Sequence, residues 1–403
     1  MKKKTKWLKF RHRLVRTLFF PFLGLYTKLR YGIRVERFQE QGDRAYFIMM
    51  NHQTAFDQFF VEMAFRGAVY YVASEDLFSK GWISSVIRYL VAPIPIKKQV
   101  TDVNAVMNCI RVAREGGTIA IAPEGNRTYS GKTEYMSATI APLAKKLKLP
   151  IALFRIEGGY GIHPRWSDQV RKGKMRAYVS RVIEPEEAAA MTNEELFAEI
   201  EKGLYVDEGV ADGIFQSVKK AEYLERAVYV CPFCGLTTFE SHGNEITCQK
   251  CHRSVTYGED KTLTGVGFEF PFSFTTQWYD YQKEFVNDLD VTAHTQTPLY
   301  RDRSGLSEVI LYKRKISLRE DAEISLYGDR IVIDEGTQTE MVLPFADIMA
   351  MSVLGKNKLN IYYGDHLYQL KSHKRFNALK YVNIYFRHKN MIRGDEHAKF
   401  LGL

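Results

Sequence analysis

Two histidines in this chain stand five residues ahead of an aspartate: His52 before Asp57 and His163 before Asp168. Histidine accepts a proton near neutral pH, and a carboxylate on its other ring nitrogen fixes the tautomer and the ring orientation. Ten histidines in 403 residues make such a spacing easy to meet by chance. His52 is the stronger candidate because Asn51-His52-Gln53-Thr54-Ala55-Phe56-Asp57 directly follows an apolar run and precedes a helical pattern. Taken alone, a histidine there is more often structural, and His163 reads as a loop residue near the site. A second polar cluster, Pro123-Glu124-Gly125-Asn126-Arg127-Thr128, also ends an apolar run, with Ser130-Gly131 close behind. Its glycine turn opens backbone N–H groups, and arginine offers a planar fork suited to phosphate oxygens. A strand-end turn with a surface salt bridge would look the same. A third cluster, Ala92-Pro93-Ile94-Pro95-Ile96-Lys97-Lys98, puts two cations after a short strand, and by itself is only a charged loop.

Cys231, Cys234, Cys248 and Cys251 form two CxxC pairs separated by 13 residues. Two such turns present four thiolates to one tetrahedral ion, and structural zinc in a ribbon is the expected occupant. A redox dithiol pair and an iron–sulfur cluster rank lower, since neither the surrounding pattern nor the spacing fits. Cys109 lies alone in a helical pattern, so no acyl-enzyme is implied. A lone thiol beside a paired set reads as a reducing cytosol.

These residues need elements to position them. From residue 45, apolar runs alternate with helical patterns. Strands are expected at 45–50, 69–73, 94–96, 118–122, 151–156 and 174–183, and helices at 56–66, 79–90, 102–115 and 137–147. That alternation implies crossover units and a mixed, largely parallel sheet with flanking helices, in which chemistry gathers at the carboxyl ends of the strands. Beyond the cysteines the pattern predicts a helix over 275–290 and eight short strands (308–311, 316–318, 322–326, 330–334, 341–344, 348–354, 358–363 and 366–370). A closing amphipathic helix over 373–387 presents Phe376, Leu379, Val382 and Phe386 on one face.

The charge is uneven. Residues 1–34 hold eleven Lys and Arg and no acid, whereas the rest is nearly neutral within a net charge of +10. A basic surface spread over the body, as nucleic-acid binding would need, is therefore excluded, and a local anionic partner is expected. Trp7, Phe10, Leu14, Leu18 and Phe22 recur at helical spacing among these cations, with Pro21 dividing the pattern into two short helices. Such a segment lies at an anionic bilayer surface; the alternative is a surface helix covering the core. No run reaches the ~18–20 apolar residues of a membrane span, and a signal peptide is not expected.

In order and spacing, Asn51-His52-x4-Asp57, Ile94-Pro95-Ile96-Lys97-Lys98, Pro123-Glu124-Gly125-Asn126-Arg127 and Leu149-Pro150-Ile151-Ala152-Leu153 resemble the four blocks of the glycerolipid acyltransferases, most nearly the 1-acyl-glycerol-3-phosphate acyltransferases. The likeness covers roughly residues 1–215. It implies His52 as general base on an acceptor hydroxyl, Asp57 orienting it, and Lys98, Glu124, Gly125 and Arg127 around the acceptor's phosphate. Lys98 stands where that family usually has arginine, so a point charge replaces a fork. The C-terminal strands and helix resemble, in topology only, a pleckstrin-homology module; self-association or packing on another domain are equal alternatives.

The expected organisation is a membrane-binding arm at 1–34, an acyltransferase domain at 35–220, a zinc ribbon at 225–262 and a β-rich, barrel-like module with a C-terminal helix at 265–395. The expected function is a peripheral acyltransferase at the cytoplasmic face of a membrane. It moves an acyl group from acyl-CoA or acyl-carrier-protein to lysophosphatidic acid. Another lysophospholipid or a glycolipid as acceptor, and a catalytically silent lipid-surface adaptor, are the alternatives.

Overall fold

The computed structural model describes residues 6–78, 81–96, 102–310, 314–394 and 400–402. The chain forms two compact units, one of residues 1–164, 170–208 and 213–215, the other of residues 165–169, 209–212 and 216–403.

The first unit runs α1 (Phe10–Tyr31), β1 (Ile33–Val35), β2 (Phe47–Met50), α2 (Asp57–Ala64), β3 (Val69–Ser74), α3 (Trp82–Val91), β4 (Ile94–Ile96), α4 (Val103–Arg114), β5 (Thr118–Ile121), α5 (Ile140–Leu147), β6 (Ile151–Glu157), α6 (Gly159–Ile162), β7 (Met175–Ile183), α7 (Pro185–Ala190) and α8 (Asn193–Leu204). Its seven-stranded sheet has the order β1-β7-β6-β2-β5-β3-β4. Every neighbouring pair is parallel except β6 with β7. The central strand β2, Phe-Ile-Met-Met, is apolar throughout because both of its faces are covered. Phe47 and Met49 enter one core, Ile48 and Met50 the other. Met49 pairs with Ile121 of β5 and Met50 with Phe154 of β6. Parallel register therefore ends β2 and β5 side by side, and the loops after them emerge together.

The sequence reading differs from the structure in several elements here, among them β1 and α6, which had no expected counterpart. Residues 10–31 form one helix with Pro21 inside it, not two. Docking on both sides of the proline holds it: Arg16 pairs with Glu62 at 2.6 Å and donates to the carbonyls of Glu62 and Phe65 at the end of α2, while Tyr31 is buried beyond it. The proline forfeits one hydrogen bond, and these contacts offset it. In this helix the departure concerns the proline alone: the apolar side of α1 faces out, with Phe10, Phe22 and Leu29 80%, 74% and 76% exposed, an orientation compatible with the bilayer-surface expectation and not with a helix that covers the core. The buried side carries His12, Gly24, Thr27 and Tyr31. Finally, α7 and α8 fill a stretch with no expected element, although Pro185 at a helix start and the Thr192/Glu195 capping box announce both.

In the second unit, β8 (Val230–Cys231), β9 (Gly235–Leu236), β10 (Phe239–His242), β11 (Glu245–Cys248), β12 (Ser254–Tyr257) and β13 (Leu263–Gly265) form the small cysteine-bearing sheets. They are followed by α9 (Thr275–Asp288), β14 (Tyr300–Ile310), β15 (Arg314–Leu326), β16 (Arg330–Ile333), β17 (Met341–Pro344), β18 (Ile348–Leu354), β19 (Lys358–Tyr363), β20 (His366–Lys371) and α10 (Leu379–Ile392). The seven strands make one antiparallel half-barrel of order β17-β16-β15-β14-β20-β19-β18, with α10 at its end. Two expected strands merge into β15: the charged run Arg319-Glu320-Asp321 interrupts the apolar alternation, but the ladder to β14 continues across a bulge at Gly305. The closing helix starts six residues later than its pattern, since Asn377 turns its side chain to accept from the Lys380 N–H at 3.0 Å.

Candidate active site

Asp57 is the first residue of α2 and is fully buried. Its Oδ2 accepts from Nδ1 of His52 at 2.8 Å and from the N–H groups of Gln53 and Thr54, and its Oδ1 accepts from the Thr54 hydroxyl at 2.6 Å. The loop thus closes on its own carboxylate, at the helix end where negative charge is favoured. A short loop leading into a helical start is what this closure needs, and that accounts for the HxxxxD spacing. Nδ1 is directed at Asp57, on a ring whose side chain is 25% exposed.

The second cluster meets the first through the backbone. The His52 N–H donates to Oε1 of Glu124 at 2.8 Å, and the His52 carbonyl accepts from the Thr128 N–H at 3.2 Å. The other oxygen of Glu124 accepts from the Glu134 N–H at 2.9 Å. Burial pushes the Glu124 carboxyl up to about 8, against the pull of these two donors. Asn51 pins the opposite side, exchanging both hydrogen bonds with the backbone of Ile156 as if β2 continued one residue further. The resemblance placed Glu124 and Gly125 on a phosphate. In the structure Glu124 is engaged by two backbone donors and the Gly125 N–H is taken by the Ala122 carbonyl. Gly125 has φ +68°, which suits the turn to glycine. Arg127, buried two residues further on, is the cation of this cluster. Lys98 and Lys97 lie outside the described residues.

His163 does not pair with Asp168. Its Nδ1 lies 3.2 Å from the Tyr31 hydroxyl in the first unit. Asp168 belongs to the second unit, where burial opposes its charge but Arg226 and Lys356 outweigh that and hold it down at about 2. Tyr31 was not singled out in the sequence. It packs against Phe56, the residue before Asp57, and burial first, then Asp57, raise its pKa, with Arg127 opposing. Only the docking of α1 brings it there, so no local motif could have signalled it. Cys109 faces the core from α4, where burial pushes its thiol up to about 12, far from a nucleophile's range.

The four paired cysteines converge. Their Sγ atoms all lie within 4.8 Å of one another, with Cys231 to Cys251 at 3.8 Å and Cys234 to Cys248 at 3.5 Å. Zinc–sulfur bonds of about 2.3 Å set tetrahedral edges of about 3.8 Å, so the donor set fits zinc. Four protein thiolates close the shell and leave no position for substrate.

Residues 32–156 match the family model described as Acyltransferase. That stretch contains His52, Asp57, Glu124, Gly125 and Arg127. No curated protein matches the chain at a significant level. Among solved structures it is similar to the 1-acyl-sn-glycerophosphate (LPA) acyltransferase PlsC of Thermotoga maritima. The identity is 20% and the TM-score 0.37, over 48% of this chain and 89% of that one. No helix among the described residues is long and apolar enough to cross a membrane.

Proposed function

We propose that this protein is a peripheral membrane O-acyltransferase that moves an acyl group from a thioester to the hydroxyl of a lysophospholipid, lysophosphatidic acid first among them. The observation that carries this reading is the buried Asp57 at 2.8 Å from Nδ1 of a partly exposed His52. In the reaction, Nε2 of His52 removes the acceptor's hydroxyl proton as that oxygen bonds to the thioester carbonyl carbon. The tetrahedral intermediate collapses with cleavage of the C–S bond, and the thiolate leaves with the proton returned by His52. A thiolate leaves readily, so the catalyst is needed for the weak hydroxyl nucleophile; general-base help contributes about 10²–10⁴-fold. Arg127, with Lys98, is the cation set for the acceptor's phosphate. Glu124 holds the His52 turn in place. Acyl-CoA or acyl-carrier-protein is the donor.

Membrane association is supported by the outward stripe of α1 and by Trp82 and Tyr89 exposed on α3, and the cytoplasmic face is part of the same proposal. A silent adaptor would not need the caged His52–Asp57 pair. Purified protein supplied with labelled acyl-CoA and a panel of lysophospholipids and glycolipids tests the reading. Turnover on lysophosphatidic acid that disappears in His52→Ala supports it, and turnover that survives His52→Ala, or none with any acceptor, overturns it.

A further inference from the structure

A buried polar pair that the acyl-transfer chemistry does not use borders the His52–Asp57 loop. Tyr31 ends α1 at 2% exposure, and its hydroxyl lies 3.2 Å from Nδ1 of His163, which follows α6 and is 7% exposed. Burial, then Asp57, raise the tyrosine pKa, so the hydroxyl keeps its proton and can donate to that nitrogen. Packing alone does not call for such a pair. A phenylalanine would fill the same space, and burying a hydroxyl beside an imidazole is unfavourable unless the two satisfy each other.

Each partner leads to the loop by a short route. The Tyr31 ring lies 5.4 Å from that of Phe56 and 5.9 Å from that of Phe60, which flank Asp57 in the chain. Phe56 donates its N–H to the Thr54 hydroxyl at 3.1 Å, and that hydroxyl donates to Oδ1 of Asp57 at 2.6 Å. On the other side, the His163 N–H donates to the Gly159 carbonyl at 2.8 Å. Gly159 starts α6 directly against the loop: a Cβ there would lie 2.6 Å from Cβ of Gln53 and 3.4 Å from Cγ2 of Thr54. Gln53 and Thr54 both donate their N–H groups to Asp57. The loop is therefore held between the end of α1 and α6, and the Tyr31–His163 contact ties those two elements together. A hydrogen bond fixes separation and direction, whereas ring contacts alone would let the elements slide.

We propose, on the reading of His52 as the base, that Tyr31 and His163 are positioning residues for acyl transfer, their hydrogen bond holding the His52–Asp57 loop between α1 and α6. His163 then has a use that its spacing to Asp168 did not reveal. Misplacing a reacting group by about 1 Å can cost on the order of 10²-fold in rate, so the loss of a tie that never touches substrate is visible in kcat.

Two measurements on the full chain test this. The first is turnover of labelled acyl-CoA with lysophosphatidic acid, at a temperature well below the Tm of every variant. Tyr31→Phe and His163→Gln should each lower kcat by about three- to tenfold, the range of one lost hydrogen bond, with KM for acyl-CoA changed by less than about twofold. The double variant should be no slower than the slower single, because both substitutions break the same bond. Phe38→Leu, which loosens the same core beside Tyr46 and Phe65, should lower Tm and leave kcat unchanged. The second measurement is amide exchange without substrate. In Tyr31→Phe the Gln53 and Thr54 amides should exchange faster by about the same factor, while those of Ile48 and Met49 in β2 keep their wild-type rates. If Tyr31→Phe does not fold, His163→Gln is read in its place. An unchanged kcat in the single variants, additive losses in the double variant, or unchanged exchange at Gln53 and Thr54 each overturn the proposal. A wild-type protein with no turnover on any acceptor would instead remove the acyl-transfer reading, and the exchange rates would still decide whether the pair holds the loop.

Discussion

In the proposed reaction His52 and Asp57 work as one unit, because the carboxylate fixes the tautomer in which Nε2 accepts the proton. Asp57→Asn keeps the shape but presents an amide to Nδ1, so acyl transfer should fall by about 10²–10⁴-fold, close to the loss in His52→Ala. A product assay under saturating donor measures both. Glu124 makes a different prediction. Its carboxyl is raised to about 8 in the folded protein against an ordinary value of 4.5. Between those pH values the native state holds a proton that the unfolded state has released, so stability falls as pH rises through that window. Glu124→Gln cannot titrate. The drop in Tm from pH 5 to pH 8.5 should therefore be smaller in that variant, with a residual slope below about pH 6 from Glu62, which burial raises in the same direction. Calorimetry across that range checks the sign.

Among the elements, α1 has an unusual division of labour. Its polar residues anchor it to α2 and β3, and its apolar residues point outward. Removing the helix would take Tyr31 away and uncover Phe60 and the core around it, so a deletion confounds folding with membrane binding. Surface changes separate them. Phe10→Ser/Phe22→Ser/Leu29→Ser should lower partition onto anionic vesicles by tenfold or more, given ~25 cal/mol per Å² of apolar area returned to water, while leaving the Tm near that of the wild type. The loop after β5 depends on Gly131. Its φ is +95°, and a Cβ there would lie 2.8 Å from the Tyr160 ring. Gly131→Ala should cost on the order of 1–3 kcal/mol, read as a lowered Tm, because both backbone and packing resist it.

At the scale of the whole molecule, the four-cysteine knuckle gives the second unit a donor set that could hold a metal ion. The chain should carry one zinc by native mass spectrometry. Chelation or Cys234→Ser should unfold the β8–β12 region, detected as loss of amide protection there, since metal binding free energy is folding free energy in such sites. The first unit has no thiolate cluster among its described residues, and its protection around β2 and β5 should persist under the same conditions.

Local chemistry made much of this protein legible from its sequence. The HxxxxD loop closes on itself within a few residues, the CxxC pairs fix their own geometry, and each strand flanking the site is an apolar run bounded by turn residues. Boundaries at β2, β3, β5 and β6 accordingly fall within two residues of their patterns. What the sequence could not settle depends on contacts between distant residues. It did not show that Pro21 sits inside one helix, because the compensation comes from Arg16 docking on α2. It did not show that Glu124 grips the backbone of His52, because that follows from β2 and β5 lying side by side in parallel register. Nor could spacing alone choose His52 over His163, since both stand five residues ahead of an aspartate. Only the folded chain turns Asp57 toward one ring and sends Asp168 to a different unit, because a hydrogen bond depends on positions in space and the sequence records only positions along the chain.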